Sequence, residues 1–325
     1  MKIAMIGGQG HQSYALTALN EIKDCTFVAI AKGSSDENLD NFKLSIAEYT
    51  TVPKEYDNWI EMLDKEQPDA VSVAPIFCYH QRISLECIKR GIHVLCEKPV
   101  AINIQELDEL EEALKNSKSQ FIGMHAMRYS RHFHTVKKAL DDGLIGKPIL
   151  INSQKSYSFN ATRPQFYKQR SLYGSTLCWV ATHAIDWSYW YMGDFEISNA
   201  YHTTLCNQGY NDCESAGVIA FQFTTGAVGC INFDFLKAHK DIACRDSCRI
   251  AGEKGVLEAA ENKAYITTHT EGRKELDLLP QKSFFKDFID STHGLDNCLI
   301  DTKSTLAVTR LALNARDYAD KYRKE

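Results

Sequence analysis

Short apolar runs alternate with amphipathic stretches along the first 120 residues. Residues 2–6, 26–31, 70–74, 93–96 and 120–124 are apolar runs of strand length. Between them, residues 13–22, 59–65, 83–90 and 104–115 carry apolar side chains at helical spacing. That alternation predicts βαβ units around a parallel sheet. The pattern changes after about residue 125. A helix over 133–140 is followed by strand-like runs at 149–153, 198–205, 216–224, 229–235 and 247–251, with helices at 182–191 and 302–322. Runs of strands with few helices between them predict a second, α+β unit with a large, mostly antiparallel sheet. The expected division is 1–124 and 125–325, within an α/β fold class whose first half is a doubly wound parallel sheet.

Composition narrows the class. The chain has 325 residues, enough for two domains, and is 44% hydrophobic and 24% charged, as soluble globular proteins are. No apolar run approaches a membrane span, and none is expected to meet a membrane. The 37 basic and 42 acidic residues leave a net charge of −5, which argues against a nucleic-acid partner. Residues 1–3 enter a strand at once, so no leader is expected. The eleven cysteines are odd in number and scattered; Cys25, Cys78, Cys87, Cys96, Cys178 and Cys230 sit among apolar residues, where a thiol acts as a small hydrophobe. They predict reduced thiols and a cytoplasmic location. The closest grouping, Cys244 with Cys248, has no second pair, so no metal is expected.

The chemistry gathers at strand ends. Gly8 and Gly10, with Ser13 in the third place, lie between a strand and a helical stretch, the context in which glycine turns approach a pyrophosphate and a helix N-terminus faces it. The next strand ends Lys32-Gly33-Ser34-Ser35. Lys32 and Ser34 suit a 2′-phosphate, as in NADP; alternatively Lys32 is solvated and Asp36 or Glu37 meets the ribose of NAD. The run 94–96 leads into Glu97-Lys98-Pro99, which delivers an amine to the sheet edge where ligands bind in open α/β folds. Hydride transfer needs a proton carrier and a positive group for the developing alkoxide. Lys98 suits the second role. His183 suits the first, with Asp186 three residues on and on the same helical face.

On these segments the chain resembles the Gfo/Idh/MocA oxidoreductases. The resemblance runs through the glycine turn, Ala74-Pro75, His80, residues 91–99, 143–148, 174–186 and 252–258, nearly the whole chain. It implies a Rossmann domain for NADP or NAD and a C-terminal domain for substrate binding, whose open sheet forms homodimers or homotetramers. It implies hydride transfer to or from a sugar, cyclitol or related polyol. Lys98 and His183 take the catalytic places; His11, Pro75, His80 and Glu97 join the cofactor side. One position departs from the family: four residues before His183, where an Asp is common, stands Trp179. That residue keeps open a second reading, a nucleotide-binding regulator with weak or no turnover. Further substrate contacts are expected from Arg128, Tyr157 and Arg163, with Trp179 and Asp186 beside them.

Overall fold

The structure is a computed structural model that describes residues 1–22, 24–158, 163–237, 246–295 and 298–322. Cys244 therefore lies outside the described residues. Two compact units emerge: one of residues 1–124, 171–173 and 282–306, the other of 125–170, 174–281 and 307–325.

The first unit is a six-stranded parallel sheet. Its strands are β1 (Lys2–Ile6), β2 (Thr26–Ala31), β3 (Lys54–Tyr56), β4 (Ala70–Val73), β5 (His93–Cys96) and β6 (Phe121–Gly123), in the order β3-β2-β1-β4-β5-β6. This is the order of dinucleotide-binding sheets, with the switch point between β1 and β4. Four residues of β1 and all of β4 are buried, as apolar runs covered on both faces must be. The helices are α1 (Ser13–Leu16), α2 (Asp40–Ala47), α3 (Trp59–Glu66), α4 (His80–Lys89) and α5 (Ile104–Lys115). Asn58 caps α3 by accepting from Ile60 and Glu61, and Asn103 caps α5 by accepting from Glu106. The helix expected over 13–22 is a single turn, α1, followed by a 3₁₀ turn at Leu19–Glu21. Thr17 donates its hydroxyl to the Ser13 carbonyl at 2.9 Å, a local bond that competes with helix continuation.

The second unit is built on an eight-stranded mixed sheet. Its first elements are α6 (Arg131–Asp141) and β7 (Pro148–Ser156); after α7 (Arg170–Tyr173), most of which belongs to the first unit, come α8 (Thr182–Met192) and β8 (Phe195–Thr203). Then come β9 (Ala216–Phe223), β10 (Val228–Asp234), β11 (Ser247–Gly252), β12 (Gly255–Ala260), β13 (Lys263–Thr268) and β14 (Gly272–Leu276). The order is β14-β13-β12-β11-β7-β10-β9-β8, antiparallel throughout except where β7 meets β10. One face carries α6 and α8. Along β9 the burial alternates: Ile219, Phe221 and Phe223 face inward, while Val218 is exposed and paired across the sheet with Tyr201 and Asn232. The chain then adds α9 (Phe284–Thr292) to the first unit and ends with α10 (Thr302–Lys321). The Thr302 and Thr305 hydroxyls accept from the Phe121 and Gly123 amides, closing the open edge of β6.

Candidate active site

In the first unit the glycine turn lies at the switch point, between the ends of β1 and β4. The Gln9 amide donates to the Ala74 carbonyl at 2.8 Å. Gln12 spans the same two strand ends: its amide nitrogen donates to the Gly7 carbonyl at 2.9 Å, and its oxygen accepts from Ser72 Oγ at 2.5 Å. Two buried carboxylates hold the rest of the turn. Glu37 accepts from the Gly8 amide (2.9 Å) and the Gly33 amide (2.7 Å). Burial pushes its carboxyl up, and these amides oppose that. Glu97, 1% exposed, accepts from the His11 amide at 2.7 Å, meets His11 Nδ1 at 2.6 Å, and accepts from the Lys98 amide at 3.0 Å. Burial alone would push the Glu97 carboxyl up; the His11 imidazole and its hydrogen bond, with the Lys98 ammonium, outweigh it and hold it down to about 2. Glu97 is therefore an anion. Among the described residues of the turn, the backbone N–H groups of Gly10, Gln12 and Ser13 have no protein acceptor.

Gly10 has φ +69°, and a Cβ there would stand 2.5 Å from Glu97 Oε2. Its missing side chain makes room for the protein's own carboxylate, a reason the glycine pattern alone did not reveal. Because α1 has four residues, the expected helix dipole facing a phosphate is replaced by individual turn amides. Lys98 is 1% exposed, with its Nζ 3.9 Å from Glu97 Oε1. The peptide bond into Pro99 is cis. His80, fully buried, has Nδ1 2.8 Å from the Pro99 carbonyl and Nε2 3.0 Å from the Pro75 carbonyl. Burial lowers its basicity, although both carbonyls resist that. It ties the loop after β4 to the loop after β5, and so acts on the site through backbone. Lys32 is ion-paired with Asp57 at 2.6 Å. Ser34 stands half-buried at the start of the loop that carries Glu37, whose amide donates to the Ser34 carbonyl at 3.2 Å.

In the second unit, a π-helical turn at Leu177–Ala181 leads directly into α8. Such turns insert a residue into the helical register and are frequent at functional sites. Buried Glu214 anchors the entry: it accepts from Ser175 Oγ (2.9 Å) and the Thr176 amide (2.8 Å), and pairs with Arg170 (2.8 Å). His183 lies one residue into α8, buried, with Nε2 3.2 Å from the Tyr157 hydroxyl. Trp179 stacks on Tyr157, with centroids 5.6 Å apart, and packs against Tyr167 (4.9 Å) and Phe235 (5.3 Å). The Arg163 guanidinium lies over the Phe235, Trp179 and Tyr167 rings at 4.4, 4.7 and 5.0 Å. Trp179, Tyr157, Arg163 and His183 thus form one cluster.

Asp186 and Arg128 meet elsewhere. Arg128 Nη2 donates to Asp186 Oδ1 at 2.6 Å and Arg128 Nε donates to Oδ2 at 3.1 Å, with both side chains buried. The expectation that Asp186 orients His183, or replaces the missing carboxylate, gives way to a fork-shaped ion pair joining α8 to the segment before α6. Sequence reasoning passed over Glu37's grip on the turn, Glu214, Asp246 and Phe235. Asp246 pairs with Lys155 and accepts from the Ser156 amide at 3.1 Å. None of these carries a local motif; each is defined by partners distant in sequence. Among the described residues no group of three or more His, Cys, Asp or Glu side chains could hold a metal.

Comparison with known proteins bears on this arrangement. The profile of an oxidoreductase family with the NAD-binding Rossmann fold matches residues 1–125, and that of the GFO/IDH/MocA C-terminal domain matches residues 133–258. The solved structure of a Thermotoga maritima protein assigned as an oxidoreductase is 33% identical, with 99% of each chain covered and a TM-score of 0.95. Myo-inositol 2-dehydrogenase of Thermotoga maritima is 28% identical over 238 residues, 71% of this chain and 68% of that protein. Levoglucosan dehydrogenase, solved in complex with NADH, shares the fold at 18% identity, with 99% of this chain and 97% of that chain covered and a TM-score of 0.82.

Proposed function

The chain belongs to the Gfo/Idh/MocA family of oxidoreductases, and from that premise we propose that it transfers a hydride between NAD(H) and the hydroxyl-bearing carbon of a cyclitol, sugar or related polyol. The observation that carries the reading is the buried Lys98 ammonium beside the Glu97 anion at the end of β5. An ammonium has no packing reason to sit in such a place, but it stabilises negative charge developing on a substrate oxygen. His183 exchanges the hydroxyl proton. The names of relatives support the substrate class: one is a myo-inositol dehydrogenase and another a levoglucosan dehydrogenase.

The residues present fit the cofactor. Turn amides of Gly10, Gln12 and Ser13 suit a pyrophosphate. The Glu37 carboxylate, held by Gly8 and Gly33, can still accept from ribose hydroxyls and would repel a 2′-phosphate. Lys32 is engaged by Asp57, which supports NAD over NADP. When bound, the nicotinamide supplies the hydride acceptor or donor.

The test is a turnover screen of cyclitols, sugars and their oxidised forms with both cofactors, read by the absorbance of reduced nicotinamide. NAD(H) should work better than NADP(H) on at least one polyol. His183→Ala should lower kcat by roughly 10²- to 10⁴-fold with NAD affinity nearly unchanged. Absence of any NAD(P) binding by calorimetry, or turnover indifferent to His183→Ala, defeats the reading.

A further inference from the structure

We propose that His11 is a proton-gated ligand of the dinucleotide pyrophosphate: as an imidazolium, bonded through Nδ1 to Glu97, it offers Nε2–H to a phosphate oxygen, so that NAD binding takes up a proton. The assignment deepens, and rests on, the reading of the glycine turn as the NAD site. Glu97 Oε2 lies 2.6 Å from His11 Nδ1 and 2.7 Å from the His11 amide nitrogen. The His11 and Lys98 amides both donate to this carboxyl, and the Lys98 ammonium stands 3.9 Å away, so it is ionised. An ionised carboxylate only accepts, so Nδ1 carries a hydrogen in both charge states of the ring. Titration is thereby confined to Nε2, which has no protein partner among the described residues, on a side chain 40% exposed. Which ring nitrogen of a histidine keeps its proton is set by the bond the other one makes.

The turn needs the charge. The amides of Gly10, Gln12 and Ser13 are open, but the His11 amide among them is spent on Glu97. A pyrophosphate is a dianion, and the turn that must receive it is itself held by two carboxylates, Glu37 and Glu97. Lys98 offsets one of them. Lys32 is engaged by Asp57, and burial holds His80 toward its neutral form. A neutral His11 therefore leaves a negative charge uncompensated against the dianion. An imidazolium removes that excess and restores the donor that its own amide has withdrawn. Tyr14 stacks on the His11 ring, with centroids 5.3 Å apart and planes 10° from parallel, and Phe284 of α9 meets Tyr14 edge-on at 5.8 Å. Burial, with the Glu97 charge, pushes the Tyr14 phenol up to about 12, so that ring stays neutral while a histidine titrates. The charged groups that α9 brings are paired with one another, Lys282 with Asp287 and Lys286 with Asp290. The bond to Glu97 and the stack on Tyr14 together fix the plane of the imidazole beside the open amides.

The test is calorimetry of NAD⁺ and ADP-ribose binding in buffers of different ionisation enthalpy, between about pH 6 and pH 9. ADP-ribose carries the same pyrophosphate without the nicotinamide. Wild type should take up protons with either probe, and its affinity should fall by about 10-fold as the pH rises across that range, the worth of one hydrogen bond to an ion. His11→Gln, which keeps a donor for Glu97, should bind about 10-fold more weakly at the acid end, with the linked protons lost and a flat pH profile. In ¹⁵N spectra of labelled wild-type protein, the His11 ring should titrate at higher pH with ADP-ribose bound than without it. Binding of both probes without proton uptake, uptake undiminished in His11→Gln, or uptake with NAD⁺ alone overturns the proposal. A chain that binds NAD⁺ with these linked protons yet oxidises no polyol defeats the functional reading and leaves His11 in its role. A chain that binds neither probe overturns both.

Discussion

A single glycine shows how much a side chain's absence can encode. The spacing of Gly8, Gly10 and Ser13 after a strand marked a turn there, and the structure places that turn at the switch point of the sheet. What that pattern did not carry is that Gly10 gives its space to Glu97, 87 positions along the chain and close by only because β1 and β5 share a sheet. Gly10→Ala should therefore do more than obstruct a pyrophosphate. It forces a left-handed backbone on an L-residue and drives a Cβ into the carboxylate that holds His11 and Lys98. The expected cost is about 1–3 kcal/mol of stability, read as a lower urea midpoint, together with weaker NAD binding. Weaker binding at an unchanged midpoint would mean that the turn tolerates the methyl and that Glu97 is not its constraint. Lys98 was singled out by its place at a strand end and His183 by its place in a helical stretch, together with the family resemblance; the structure keeps both placements and buries both side chains. Glu37's grip on Gly8 and Gly33 was not legible, because the sequence leaned to Lys32 and left Asp36 or Glu37 as the alternative at the same strand end.

Elements were legible where hydrophobic period and length agreed. β1, β2, β5 and α5 carry clean patterns and stand where the pattern puts them. β3 has three residues, two of them exposed, and β14 has four exposed residues of its five; neither offers an apolar signal to read. The π-helical turn before α8 was invisible for another reason: it depends on Glu214, which accepts from Ser175 and Thr176 from beyond β8. Along α8 itself, the spacing of His183 and Asp186 suggested a working pair, and the structure gives Asp186 to Arg128 instead. That assignment predicts a stability effect in place of a binding effect. Arg128→Met, and equally Asp186→Leu, leaves a buried charge uncompensated and should cost about 3–5 kcal/mol. The double replacement Arg128→Met with Asp186→Leu, which removes both charges, should recover most of that loss, since the two energies are strongly coupled. Chemical denaturation of the four proteins measures the cycle. If either single variant is as stable as wild type and shows only a raised KM, the pair belongs to the substrate after all.

For the molecule as a whole, the buried titratable groups fix how it responds to acid. His132, in the second unit, is buried, and burial pulls its imidazole from the ordinary 6.5 down to about 4, with Asp246 opposing. Above pH 6.5 the group is neutral in both states and contributes nothing to the difference. Below it the unfolded chain binds a proton that the folded chain refuses, so stability falls with acid until about pH 4, where the folded state also protonates. The loss at pH 5 is about 2 kcal/mol. Glu97, in the first unit, is held down to about 2 from an ordinary 4.5. Its contribution is fully present above 4.5 and disappears as the pH falls from there toward 2. His80 and His93 of the first unit, whose basicity burial also lowers, add their own loss below pH 6.5, so both units should weaken in that window, and Glu97 adds a later one in the first unit. Tryptophan fluorescence separates the two, because Trp179, Trp187 and Trp190 belong to the second unit and Trp59 to the first. Urea midpoints read by fluorescence should decline between pH 6.5 and 4 in wild type. In His132→Gln, which keeps a polar side chain with no charge to refuse, that decline should be shallower by about 2 kcal/mol at pH 5, with the later Glu97 window unmoved. An equal decline in both proteins would place the acid sensitivity of the second unit on some group other than His132.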